Sequence, residues 1–294
     1  MISTDIKQRI VTALADARRN FDGSDARFAI SLDINAAQYN RIKNGELDKI
    51  LSDQKWIGLA RRMAISIDNA PVWKTAETPV FQFINAQLED CQEQGISSLF
   101  CDLSDIGKTY ACECYVRTHR NAVYIDCSQA KTKQLLIRAI AREFGLTYSG
   151  RYNDVYSELV FYLKTLTRPL IILDEVGDVR HETFLEIKSL WNATRGCCAW
   201  YMVGADGLKQ RMQRSIDNKI IGFTELFSRF GKRYQCIVAE DKPVERSEML
   251  IITATMIIKA NAEAGVNTGK VLRGCMGEDK FPSLRRIYNE LTLR

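Results

Sequence analysis

From Ile96 onward, short apolar runs alternate with helical patterns. Ser98–Asp102, Ala122–Asp126, Arg168–Asp174 and Ala199–Gly204 are the runs, with a fifth near Tyr234–Val238. Lys108–Thr118, Lys131–Phe144, Asn153–Leu166 and Glu182–Thr194 carry helical spacing between them. Strands that are apolar throughout, each followed by a helix, predict a parallel sheet covered on both faces, hence an α/β fold with five strands. Before this stretch, residues 1–70 read as short helices, and 71–95 as a connection leading into an amphipathic helix. After about Pro243 the pattern is helical to the end. The expected division is an all-helical head over 1–70, an α/β core over 71–242 and a helical lid over 243–294, which suits 294 residues.

The first apolar run feeds a loop closed by Gly107-Lys108-Thr109 and then a helix. Strand, loop, Gly-Lys-Thr and helix in this order make a P-loop, whose amides and helix N-terminus wrap phosphates. Ile106 and Gly107 belong to that loop, Lys108 is expected to reach the β- and γ-phosphates, and the Thr109 hydroxyl to bind Mg²⁺. Asp102 stands where the motif has its first glycine, and Asp105 adds a second carboxylate to a phosphate-binding loop. About 65 residues downstream, Leu170–Leu173 ends in Asp174-Glu175. Asp174 is expected to hold Mg²⁺ and Glu175 to act as general base on the attacking water. ATP with Mg²⁺ is the expected ligand.

In the head, Ser24-Asp25 opens a short helix and Asp33-Ile34-Asn35 reads as a turn. A second helix, Ala36–Lys43, closes on Asn44-Gly45. This is helix-turn-helix layout, with Gln38, Asn40, Arg41 and Lys43 on the polar side of the second helix. Such side chains read base edges and phosphates. Eleven basic against nine acidic residues over 1–70 leave the head nearly neutral, and a small helical bundle for protein contacts is the alternative. Lys209–Arg233 holds seven basic residues (Lys209, Arg211, Arg214, Lys219, Lys232 and Arg233 beside Arg229) against two acidic ones, a net +5 that equals the charge of the whole chain. That segment is either a duplex-DNA track or a subunit interface facing a neighbour's phosphates.

The order of helix-turn-helix, P-loop, Asp-Glu strand, strand ending in Gly204, Leu226-Phe227-Ser228-Arg229-Phe230 and helical lid resembles the MuB group of AAA+ ATPases, close to the TniB and IstB transposition ATPases. The resemblance implies ATP-dependent assembly of the chain on itself and on double-stranded DNA, as a helical filament that captures target DNA for a transposase. It also implies an arginine finger (Arg229, with Arg233 second) and a sensor arginine in the lid (Arg285). The polar sensor that AAA+ proteins carry after the fourth strand is replaced by Ala205, with Asp206 the nearest polar group. A helicase loader, or a nucleotide-sensing helix-turn-helix regulator with little hydrolysis, are the competing expectations. The start of the chain lacks a signal-peptide core, and the longest apolar runs are far below the ~20 residues that span a bilayer, so a cytoplasmic protein without membrane contact is expected.

Overall fold

The computed structural model describes residues 2–67 and 73–292, so the expected boundary between head and core, at 70–71, lies outside the described residues. The head comprises α1 (Thr4–Arg19), α2 (Asp25–Ser31), α3 (Ala36–Lys43) and α4 (Asp53–Arg62). Each begins at a side-chain cap that accepts a backbone N–H, from Ser3, Ser24, Asn35 and Ser52 in turn. They close around Ile10, Leu14, Phe28, Tyr39, Ile42, Trp56 and Leu59.

Next come α5 (Pro79–Gln94), β1 (Ser97–Cys101), α6 (Lys108–Thr118), β2 (Ala122–Asp126), α7 (Lys133–Glu143), α8 (Tyr152–Thr165), β3 (Leu170–Asp174), α9 (His181–Ala193), β4 (Ala199–Gly204), α10 (Asp206–Asp217), α11 (Phe223–Arg229) and β5 (Tyr234–Gln235). The sheet is all-parallel in the order β2-β3-β4-β1-β5. Period-2 alternation shares each strand between two cores. On β3, Ile171 and Leu173 face α7, α8 and α9, while Leu170 and Ile172 face α5 and α6. The lid, α12 (Pro243–Asn261), α13 (Thr268–Gly274) and α14 (Leu284–Thr292), packs Ala254, Ile258, Val271, Cys275 and Ile287 together. Met249 and Leu250 of α12 join the core under α5. Among the described residues, no helix is long and apolar enough to cross a membrane.

β3 begins at Leu170 rather than Arg168, and two further strands differ from expectation at the end that meets Asp102. β1 stops at Cys101 and β5 runs only from Tyr234 to Gln235. The Asp102 carboxylate takes the Ile237 N–H at 2.9 Å, which draws that segment out of the ladder. The helices fall within one or two residues of the expected bounds, and α6 matches them at both ends.

The head sits against the ends of α6, α7 and α8. The Asn20 amide donates to the Arg117 carbonyl at 2.9 Å and Tyr162 to the Asp22 carbonyl at 2.7 Å. Tyr148 donates to Asp33 at 3.0 Å, Arg62 pairs with Glu143, and Arg27 lies over the Tyr162 ring at 4.4 Å. Gly145 permits the approach: its φ is +69°, and a Cβ there would collide with the Arg27 carbonyl oxygen.

Candidate nucleotide site

β1 and β3 are not neighbours, because β4 lies between them. Both end at the same edge of the sheet, so the loop after β1 and the acids after β3 face each other across β4. Gly107, at φ +95°, lets the chain turn directly into α6, whose first residues are Lys108 and Thr109. Ile106 is buried in the core below, so the loop is held from beneath and contributes backbone rather than side chain.

Thr109 Oγ1 donates to Asp174 Oδ2 at 2.6 Å, a contact between residues 65 positions apart. The same oxygen accepts from the Tyr124 hydroxyl at 3.0 Å, and Oδ1 accepts from the Glu175 N–H at 2.9 Å. Asp174 is buried. Tyr124, which the motif reading misses, is legible only through β2–β3 register, which sets Tyr124 opposite Ile172 and Asp126 opposite Asp174. Burial, and then the Asp174 charge, raise the Tyr124 phenol above its usual pKa, so it acts here as a donor.

Lys108 is buried, and its ammonium donates to the carbonyls of Asp102 at 3.0 Å and Leu103 at 2.5 Å. Burial lowers its pKa, while Asp174 and Asp102 oppose the shift. Glu175 is exposed and left-handed at φ +51°, an uncommon conformation for a non-glycine residue. Burial of part of its side chain, and then the neighbouring Asp174, raise its pKa above the usual carboxylate value.

The two carboxylates of the loop turn away from the phosphate position. Asp102 accepts from the Leu103 N–H at 2.8 Å, the Ile237 N–H at 2.9 Å and Arg246 Nη2 at 2.5 Å. The Asp102 carboxylate is buried against the lid, and its carbonyl meets Lys108. Asp105, left-handed at φ +58°, accepts from Ser283 Oγ at 2.8 Å. Arg285 stands beside the loop, with Nε 3.8 Å from Asp105 and its side chain 86% exposed. Ala205 is the residue before α10 and offers no polar side chain to the site.

Arg229 lies over the Trp191 ring at 5.3 Å, with Nε donating to Asn192 at 2.8 Å and Nη1 to the Glu225 carbonyl at 2.6 Å. None of these partners belongs to the P-loop or to β3. Arg233 is exposed and has no hydrogen-bond or ion-pair partner among the described residues.

Most side chains expected on DNA are engaged within the chain. Gln38 caps α3: its Oε1 accepts from the Asn35 N–H at 3.2 Å and its Nε2 donates to the Ile50 carbonyl at 3.1 Å. Asn35-x-x-Gln38 is the capping-box spacing that could have signalled this contact. Arg211 is engaged within the chain as well. It donates to the Gly177 carbonyl at 2.5 Å and the Val179 carbonyl at 2.6 Å and stacks on Phe184, which ties α10 to the turn after Asp174. Lys209 pairs with Glu240 at 2.6 Å, Arg41 with Glu46 at 2.9 Å and Lys43 with Asp25 at 2.8 Å. Arg214 and Lys219 are exposed, and their side chains have no such partner among the described residues.

Burial pushes the Cys91 and Cys101 thiols up to about 12. Neither is a nucleophile at neutral pH.

Sheet order, P-loop and facing acids define an AAA+ P-loop fold with helical flanks. Residues 97–212, from β1 into α10, match the family model described as an AAA domain, AAA_22. The match supports an AAA+ ATPase family for that segment and, with it, nucleotide binding. No curated protein matches the chain.

Proposed function

We propose that the chain is a Mg²⁺-dependent ATPase whose nucleotide state controls its assembly on double-stranded DNA, capturing that DNA for a transposase. The observation that carries the nucleotide reading is the Thr109–Asp174 hydrogen bond, which joins the two halves of a phosphate–metal site. The donor set fits the metal. A threonine hydroxyl and a carboxylate side by side, next to a loop that receives phosphates, suit an ion that keeps waters and shares phosphate oxygens. Thr109 and Asp174 would hold Mg²⁺, which when bound neutralises charge on the phosphates.

Lys108 exchanges its carbonyl partners for phosphate oxygens, and the N-terminus of α6 adds its partial positive charge. Glu175 orients a water and accepts its proton. Arg229 of a neighbouring copy stabilises the charge that develops on transfer. Because that arginine comes from outside the subunit, nucleotide binding and self-assembly favour one another.

DNA contact in this reading falls to Arg214 and Lys219 of the core, with Lys232 and Arg233, which are all exposed and basic. The test is duplex-DNA binding by the full chain with ATP and Mg²⁺, with ADP, and with neither. Binding favoured by ATP is expected, with the salt slope reduced by about one for each of Arg214→Ala and Lys219→Ala. Equal affinity in all three nucleotide states overturns the coupling.

A further inference from the structure

We propose that Asp102 is a positioning residue that seats the lid on the P-loop through Arg246, so that nucleotide affinity depends on this pair and not on a glycine at that position. The proposal rests on the reading of the P-loop as a nucleotide site.

Asp102 joins three pieces of chain that are far apart in sequence. Its carboxylate holds the Leu103 N–H at the start of the loop, the Ile237 N–H in the link from β5 to the lid, and Arg246 in the first turns of α12. Its carbonyl meanwhile receives the Lys108 ammonium. The Asp102 side chain is 1% exposed and the Arg246 side chain 11%. Arg246 Nε is buried without a hydrogen-bond partner, and Asp102 is the carboxylate in ion-pair contact with this guanidinium. A glycine here would leave a buried arginine uncompensated and two amides without their acceptor, and removing one partner of a buried pair is far costlier than the pair itself is worth. The lid would lose its bond to the loop at the point where Lys108 is held.

The second carboxylate of the loop works in the same direction. Asp105 meets Ser283, the residue before α14, and approaches Arg285. Leu284 also comes to the turn itself: a Cβ on Gly107 would lie 3.7 Å from Leu284 Cδ1. The loop therefore touches the lid at both of its acidic positions, through α12 by way of Asp102 and through α14 by way of Asp105. Motif reasoning says that restoring glycine should help a P-loop, whereas this geometry says that it should harm this one.

The experiment compares the full chain with D102G, R246M, the double variant and K108A. Hydrogen exchange of the Ile237 amide and of α12 is followed without nucleotide, and binding of a fluorescent ATP analogue with Mg²⁺ is titrated. D102G is expected to raise exchange at Ile237 and the start of α12 and to weaken the analogue about tenfold or more. R246M, which leaves the loop sequence intact, is expected to do the same and keeps the test decisive if D102G does not fold. The double variant should be no worse than D102G by more than about twofold, since both remove one interaction. K108A should lose the analogue with exchange of α12 unchanged. D102G or R246M binding as tightly as the parent, with exchange unchanged, overturns the proposal. K108A binding like the parent overturns the nucleotide reading instead, and the exchange measurements still decide whether Asp102 seats the lid.

Discussion

The nucleotide site and the polar side of α3 in the head use their side chains in opposite ways. At the edge of the sheet, Thr109 reaches Asp174 across 65 positions of sequence, and Asp102 reaches Arg246 across 144. In the head, Gln38 is joined to residues 3 and 12 positions away, Arg41 to one 5 away and Lys43 to one 18 away. Long-range polar contacts cost chain entropy and persist only where the fold itself is built to bring those groups together. The short-range ones need no such purpose, because caps and surface ion pairs satisfy groups that any helix end exposes. The difference teaches that polar residue types on a helix do not make a reading surface until their local uses have been subtracted.

The largest expected effect breaks the long-range side. Lys108→Ala removes the only ammonium within the loop, and ATP affinity is expected to fall by about a hundredfold or more, because charge-assisted contacts to phosphate are lost with nothing nearby to replace them. Isothermal titration with ATP and Mg²⁺ checks it. Retained affinity would mean that the contacts around Lys108 serve only the fold, which would bring the two regions into line with each other.

Next in size, Glu175→Gln should leave ATP binding near the parent value and slow hydrolysis by about 10²–10³-fold, the usual contribution of a positioned base. The sign of the pH dependence follows from the raised Glu175 pKa. A carboxyl that protonates above the ordinary glutamate range stops accepting protons at correspondingly higher pH. The parent rate should therefore already fall at pH values above that range as the solution is acidified. The glutamine variant should show no such acid limb. A phosphate-release profile with the same limb in both proteins would remove Glu175 from the role of base.

Much of the fold is legible in the sequence, because apolar runs and helical spacing act locally. α6 begins where Gly107 ends the loop and stops where its pattern does, and Leu170–Leu173 is apolar where both faces of β3 are covered. The Thr109–Asp174 meeting is legible too, since Gly-Lys-Thr and the Asp-Glu strand imply each other. Three features are not legible, and each depends on a partner whose identity no spacing announces. Asp102 turns to Arg246, which lies in another layer of the molecule. Arg211 clamps carbonyls 32 and 34 positions away. β5 is cut short by a carboxylate donated from the far end of β1. Gln38 is a different case: the Asn35-x-x-Gln38 spacing announces a capping box, which residue type alone does not.

The smallest expected effect tests that last point within the head. Gln38→Ala should cost about 1 kcal/mol of head stability, because α3 loses the side chain that closes its capping box and the Ile50 carbonyl loses its donor. Gln38→Glu keeps the acceptor at the Asn35 N–H and loses the donor to Ile50, so it should fall between the two. Arg41→Ala and Lys43→Ala should move stability less, since both pairs are largely solvent-exposed and pairs of that kind contribute about 0–1 kcal/mol. Urea unfolding of the full chain, followed at Trp56 in the head core, ranks all four. DNA affinity should stay flat across the set, measured beside Arg214→Ala as the positive comparison. If Gln38→Ala instead weakened DNA binding with its unfolding midpoint unchanged, the capping role would be incidental. α3 would then be a reading helix after all, and the contrast between the two regions would lie in when their side chains are engaged rather than in what they engage.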